Sequence, residues 1–146
     1  MKIVTMDTNH VPQVAELERI CFQDPWSEKS VAGEVDNPLA LWLVAVEQDR
    51  VAGYVGSQTV IDETDMMNIA VHPDFRRQGI AQELVCALVA ALKARGSHCL
   101  TLEVRASNLP ARQLYEKLGF ILAGIRPRYY RNPREDALIL RKEWEM

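Results

Sequence analysis

Residues 67–85 read MNIAVHPDFRRQGIAQELV: an apolar run, a basic turn and the start of an amphipathic segment. MNIAV (67–71) has the composition of a strand. QELVCALVAALKARG (82–96) has helical periodicity, with Leu84, Val85, Leu88, Val89 and Leu92 on one core face and Gly96 as its stop. Arg76, Arg77 and Gly79 therefore fall at a strand-to-helix junction. A helix start leaves about four backbone N–H groups unpaired and carries a partial positive charge. Gly79 removes the Cβ that would block a ligand's approach to the backbone, and the small Ala81 keeps the next position open. Such a junction cradles a phosphate or pyrophosphate, with the arginines adding charge. A solvated basic turn capped by Gly79 fits the same residues. The spacing matches neither the dinucleotide G-x-G-x-x-G nor the P-loop.

The elements on either side define the fold class. Lys2–Met6 alternates as a short strand. Asp7, Thr8 and Asn9 offer caps for a helix with Val11, Val14, Leu17 and Cys21 on one stripe and Pro12 in its first turn. Asp24-Pro25-Trp26 breaks that helix, and Ser27 caps a shorter one to about Val35. LALWLVAVE (39–47) is apolar on both faces, as in a buried strand. It leads through VAGYVGSQTVI (51–61) and an acidic turn to a strand at 66–71, a three-stranded meander. Cys99–Val104 is a strand, Asn108–Leu118 a helix ended by Gly119, and Ile121–Ile125 and Ala137–Leu140 are the last strands. The order β-α-α-β-β-β-α-β-α-β-β predicts an α/β fold: a mixed, mostly antiparallel sheet flanked by helices, in a single domain over 1–146. A dinucleotide cofactor fits poorly, because the strand before the basic turn closes a meander and does not open a βαβ unit.

Composition limits the function classes. The chain has 146 residues, 48% apolar and 25% charged, with 17 Lys plus Arg against 20 Asp plus Glu. That size and balance suit a globular domain with its own core. A net charge of −3 argues against general nucleic-acid binding. Cys21, Cys86 and Cys99 have no metal-ligand spacing and are expected to be small buried hydrophobes. His10, His72 and His98 are dispersed, so no metal site is expected. With no signal-like segment and no apolar run of membrane length, a cytoplasmic protein without membrane association is the expectation, and a monomer is favoured.

CLTLEVRASNLPARQLYEKLGF (99–120) carries the chemistry. Strand alternation puts Leu100, Leu102 and Val104 on one face and Thr101, Glu103 and Arg105 on the other. A carboxylate in mid-strand is either paired with a cation or poised for proton transfer. Asn108 and Tyr115, seven residues apart, share a helix face, and Leu114 and Leu118 are expected to face the core. Asn108 as a cap and Tyr115 as a packed aromatic fit equally. Reference pKa values of about 4.3 for Glu and 10 for Tyr make the first an acceptor and the second a donor of protons at neutral pH.

MNIAVHPDFRRQGIAQELV resembles the acetyl-CoA signature (R/Q-x-x-G-x-G/A) of the GCN5-related N-acetyltransferases, and the element order is that family's. The likeness covers essentially the whole chain. It implies that the loop amides at Arg77, Gln78, Gly79, Ile80 and Ala81 wrap the pyrophosphate of coenzyme A; Ala81 stands where Gly is the commoner choice. FQDPWSEKS (22–30), LEVRASN (102–108), LYEKLGF (114–120) and RYYRNPREDALIL (128–140) resemble more narrowly the bacterial branch that acetylates the N-terminal alanine of a small-subunit ribosomal protein. That branch implies Glu103 as general base, Tyr115 as general acid, and pantetheine contacts at Ile69, Ala70, Val71 and Asn108. Trp26 and the pair Tyr129–Tyr130 would wall the groove for the acceptor peptide, although packing roles fit them too. Asp24, Asp62, Glu63, Asp65, Glu135 and Asp136 would give that groove a negative rim if they converge.

Three functions remain open at this point. The first is transfer to a protein N-terminal α-amine, the second transfer to a lysine or small amine. The third is acetyl-CoA binding without turnover, against which an acid–base pair speaks.

Overall fold

The computed structural model describes residues 1–145. It is built on a seven-stranded sheet in the order β1-β2-β3-β4-β5-β7-β6. The strands are β1 (Lys2–Thr5), β2 (Ala40–Glu47), β3 (Arg50–Val60), β4 (Glu63–Val71), β5 (Cys99–Arg105), β6 (Ile121–Tyr130) and β7 (Glu135–Glu143). The helices are α1 (Val11–Cys21), α2 (Glu28–Val35), α3 (Ile80–Ala94) and α4 (Leu109–Lys117). Every pairing is antiparallel except that of β4 with β5. The predicted element order is the observed one.

Each face of the sheet carries its own core. On one side Leu41, Leu43, Ala45, Ala52 and Val55 meet Leu84, Val85, Leu88 and Leu92 of α3. On the other, Trp42, Val44, Val51 and Tyr54 meet Val14 and Leu17 of α1 and Val31 of α2. The residues of β2 alternate between the two clusters, which is why its sequence shows no polar face. Trp42 stacks on Tyr54 at 5.7 Å between centroids, and Trp26 meets Trp42 edge-on at 5.3 Å.

Local signals set the helix ends. The Ser27 hydroxyl accepts the Ser30 amide at 3.1 Å to start α2. Gly79 caps α3 with φ +75°, in the left-handed region that favours glycine. β6 and β7 extend beyond their apolar cores, so Tyr129 and Tyr130 belong to the end of β6. The expected acidic turn shrinks to Ile61–Asp62 as β4 begins at Glu63. Among the cysteines, Cys99 is buried and Cys21 half-buried, but Cys86 is exposed on the solvent side of α3, contrary to its expected burial.

Candidate active site

Two features of β4 open the sheet. Gly56 pairs with Asn68 and Ser57 with Met66, so Met67 is an extra residue in a β-bulge. The parallel pairing of β4 with β5 covers only Glu63–Asp65 against Cys99–Thr101. Beyond it β4 continues to Val71 and β5 to Arg105 without pairing to each other, while β5 stays bonded to β7 throughout. The two strands splay into a gap.

The backbone of β4 is divided by this gap. His72 donates its amide to the Ala52 carbonyl at 2.7 Å, so by alternation Ala70 also bonds toward β3. Ile69 and Val71 then turn their backbone groups toward the gap. Ala70, although predicted with them, has its backbone engaged inside the sheet. The Val71 carbonyl accepts Arg76 Nε at 3.3 Å, and Ile69 N–H leans on Asn68 Oδ1 at 3.3 Å.

At the end of β4 the chain turns into α3. Arg77 has φ +63° and is exposed with Gln78 and Gly79, whereas the side chain of Ile80 is buried and offers a ligand only its amide. Ala81 is half-buried on the first turn. No atom lies within 4 Å of where a Cβ on Gly79 would stand, so the backbone is open to solvent there. Arg76 is exposed beside the loop and has partners of its own. Its guanidinium bends back to the Val71 carbonyl and reaches Cys21 Sγ at 3.7 Å, tying the loop to β4 and α1.

Across the gap, Glu103 sits on β5 with its side chain 29% exposed. Oε2 is buried and has no hydrogen-bond partner among the described residues. Arg126 Nε stands 3.5 Å from it, close enough for attraction but without hydrogen-bond geometry. The carboxylate thus keeps an acceptor site free. Of the two alternatives raised by its mid-strand position, the pairing with a cation is present in Arg126, and Oε2 is also left without a hydrogen-bond donor.

Tyr115 is buried, edge-on to Phe120 at 5.5 Å, in the core cluster on the α3 side. Burial, with the nearby Tyr130, pushes its hydroxyl up to about 12. Of the two leucines expected at the core, Leu118 packs there and Leu114 does not. Ala111, Tyr115 and Leu118 form the stripe against the core, while Leu114 is half-buried outside it. Asn108 is exposed and caps α4, its Oδ1 accepting the Ala111 amide at 3.3 Å.

Tyr130 joins the two. Burial first, then the Glu103 charge, raises its hydroxyl to about 12. Tyr129 packs edge-on to it at 5.1 Å, and the Arg105 guanidinium lies 4.4 Å over its ring. Arg105 also donates to the Arg131 and Pro133 carbonyls and to Glu135, whose carboxyl the Ser107 hydroxyl and Arg105 hold below its ordinary range. The β6–β7 hairpin is thereby pinned beside Glu103.

Trp26, in the α1–α2 loop, is half-buried against Trp42. The same loop touches the hairpin where Gln23 Nε2 donates to the Asn132 carbonyl at 3.2 Å, so the segments that carry Trp26 and Tyr129–Tyr130 are joined there. The acidic residues do not all converge on one rim. Asp62 and Glu63 lie at the far end of the β4–β5 pair, bonded to His98 and Arg141, and Asp136 accepts the Arg128 amide. The sequence reading also missed Glu18, a fully buried carboxylate among the apolar residues of α1. An acidic residue on a core-facing helical position was the signal that would have found it.

The Acetyltransferase (GNAT) family matches residues 11–120, a span that holds the α3 cradle, Glu103 and Tyr115. A ribosomal protein bS18-alanine N-acetyltransferase of Salmonella typhimurium is 42% identical over 141 residues, with 94% of each chain covered. The crystal structure of the ribosomal-protein-S18-alanine N-acetyltransferase from Escherichia coli is similar at a TM-score of 0.91 and 38% identity, covering 99% of this chain and 94% of that one. An aminoglycoside 6'-N-acetyltransferase complexed with coenzyme A shares the fold, with a TM-score of 0.83 at 21% identity over 98% of this chain and 97% of that one. With the family pattern running through both the splayed strands and the helix start beside them, the chain belongs to the GNAT acetyltransferases.

Proposed function

We propose that the protein moves the acetyl group of acetyl-CoA onto the N-terminal α-amine of a protein, the alanine of ribosomal protein bS18 being the substrate its relatives' names point to. The observation that carries the chemistry is the buried, unbonded Oε2 of Glu103 at the edge of the β4–β5 gap. Residues 1–146 then act as one catalytic domain, working as a monomer in the cytoplasm where ribosomes are. Among the described residues no helix is long and apolar enough to cross a membrane.

In this reading the amides from Arg77 to Ala81 receive the pyrophosphate, and Ile69, Ala70, Val71 and Asn108 flank the pantetheine arm. The gap-facing amide of Val71, that of Ile69 being taken by Asn68 Oδ1, supplies a donor for the oxyanion that forms as the amine attacks the thioester carbonyl. Glu103, directly or through water, takes a proton from the amine; Tyr115 gives one to the departing thiolate. A C–N bond replaces a C–S bond, and no acyl-enzyme is needed. Trp26, Tyr129 and Tyr130 enclose the peptide end.

The acceptor test compares two peptides, one with a free N-terminal alanine and one with a blocked terminus and an internal lysine. Mass gain is expected on the first alone. An α-amine near 7.7–8.0 gives up its proton for about 3 kcal/mol less than a lysine near 10.4. For the first peptide kcat/KM should climb as the pH passes the amine's own pKa and then stay level. Tyr115 works protonated and titrates only at about 12, so it imposes no alkaline fall in the usual range. Comparable turnover of the lysine peptide moves the assignment to side-chain acetylation.

Gly79→Asp tests the cradle. The new carboxylate repels the pyrophosphate and strains a φ of +75°. Acetyl-CoA binding should weaken by about 2 kcal/mol or more, the scale of a charged group left badly paired. Calorimetry on a folded variant with unchanged affinity removes the loop from the binding site.

A further inference from the structure

Glu18 is the one fully buried carboxylate among the described residues, and the transfer chemistry makes no use of it. Its neighbours on the buried face of α1 are Val11, Val14, Ala15 and Leu17. Packing alone would be served as well by an apolar side chain, since a carboxylate is costly to bury unless its oxygens are bonded. Here they are bonded three times. Oε1 accepts the backbone N–H of Trp26 at 2.8 Å. Oε2 accepts the Tyr54 hydroxyl and the Asn68 side-chain amide, the latter at 2.6 Å.

The three donors belong to three segments that meet on the α1 side of the gap: the α1–α2 loop, the middle of β3, and β4 beside its bulge. Holding Asn68 Nδ2 also fixes which way that amide points. Its Oδ1 is left to face the Ile69 N–H at 3.3 Å, one of the amides turned toward the gap. We propose that Glu18 is a positioning residue for the acceptor, holding the Trp26 loop and the β4 bulge in register with each other across the mouth of the gap. This rests on the reading of Trp26 as a wall of the acceptor groove.

Glu18→Gln isolates the role. Glutamine keeps the shape but has one acceptor oxygen, while Trp26 N–H and Asn68 Nδ2 lie on opposite sides of the group and both need one. Tyr54 can reverse its hydroxyl. Asn68 can flip only by turning its NH2 onto the Ile69 N–H. One arm is therefore lost. The N-terminal-alanine peptide should show a KM about tenfold higher, what one hydrogen bond is worth, with kcat and acetyl-CoA affinity little changed. Tyr54→Phe removes a donor but leaves both other arms; it should lower the melting temperature and leave the peptide KM alone. Trp26→Ala should raise the peptide KM, and adding Glu18→Gln to it should add little, because the two act as one unit. Glu18→Asp, which keeps the charge but withdraws it from Trp26, is the second variant and should raise KM in the same direction if the Gln form does not fold.

A folded Glu18→Gln with unchanged peptide KM, beside a Trp26→Ala with a raised one, overturns the proposal. So does a loss spread equally over peptide and acetyl-CoA binding, which marks Glu18 as merely structural. An unchanged KM in Trp26→Ala removes the groove reading itself, and this proposal with it.

Discussion

Replacing Tyr115 with phenylalanine is expected to lower kcat by ~10²–10⁴-fold, the usual worth of a positioned general acid, with acetyl-CoA affinity nearly intact. The substitution deletes one oxygen and keeps the ring. Its edge-on contact with Phe120 and its place in the core stripe of α4 survive, so the variant should fold. The hydroxyl is held protonated by burial, with its pKa at about 12. It is thus protonated at every working pH and available to hydrogen-bond the thiolate that must gain a proton as it leaves. Stopped-flow or quench measurements under single turnover isolate the chemical step. Wild-type kcat in that regime would leave Tyr115 as a packed aromatic and require another acid, for which the adjacent Tyr130 hydroxyl, also raised to about 12, is the next residue to test.

Glu103→Gln should cost ~10²–10³-fold in kcat/KM for an N-terminal-alanine peptide at neutral pH, within the range for a lost general base. Glutamine preserves the side chain's volume, and the Arg126 partner is largely exposed, so stability should change by less than about 1 kcal/mol. The pH dependence separates a base from a structural carboxylate. Above the amine's own pKa the acceptor is already neutral and needs less help, so the deficit should narrow as the pH rises through 8 and beyond, roughly the α-amine range. A deficit that stays constant with pH would mean that Glu103 orients the acceptor through charge. Full activity at pH 7 would remove it from the chemistry altogether.

The sequence was a good guide wherever the deciding forces act between near neighbours. The 3.6-residue spacing of Leu84, Leu88 and Leu92 made α3 legible, and all three are fully buried or nearly so. Ser27 capped α2 as expected because a cap needs only an oxygen three residues before a free amide. The alternation of β5 separated Leu102 from Glu103 correctly, since a pleat has a fixed period of two. Gly79 was singled out for its missing Cβ at the helix start; its left-handed φ of +75° is what the structure adds.

What failed was settled over longer distances. Leu114 and Leu118 were expected at the core and Tyr115 on another face, and only the docking of α4 put Tyr115 with Leu118 against the core and left Leu114 outside. Arg76 was read only as charge near the helix start, and its bonds to the Val71 carbonyl and to Cys21, the latter across 55 residues of chain, had no local signal. The acidic residues counted toward a rim lie at different ends of the sheet, which no local pattern records.

The sequence alone therefore determined the elements, their order and the helix start suited to an anion, because propensity, capping and periodicity are written into adjacent residues. Tertiary structure alone decided the gap between β4 and β5, since it depends on where a parallel pairing stops and not on which residues form the strands. It likewise decided the unbonded oxygen of Glu103 and the bonded ones of Glu18. Both are glutamates within regular secondary structure, Glu18 among the apolar residues of α1 and Glu103 on the polar face of β5. Whether such a group is left an open acceptor or is satisfied depends on donors from other segments: Tyr54 and Asn68 reach Glu18 from 36 and 50 residues away, while Arg126 approaches Glu103 Oε2 without bonding it.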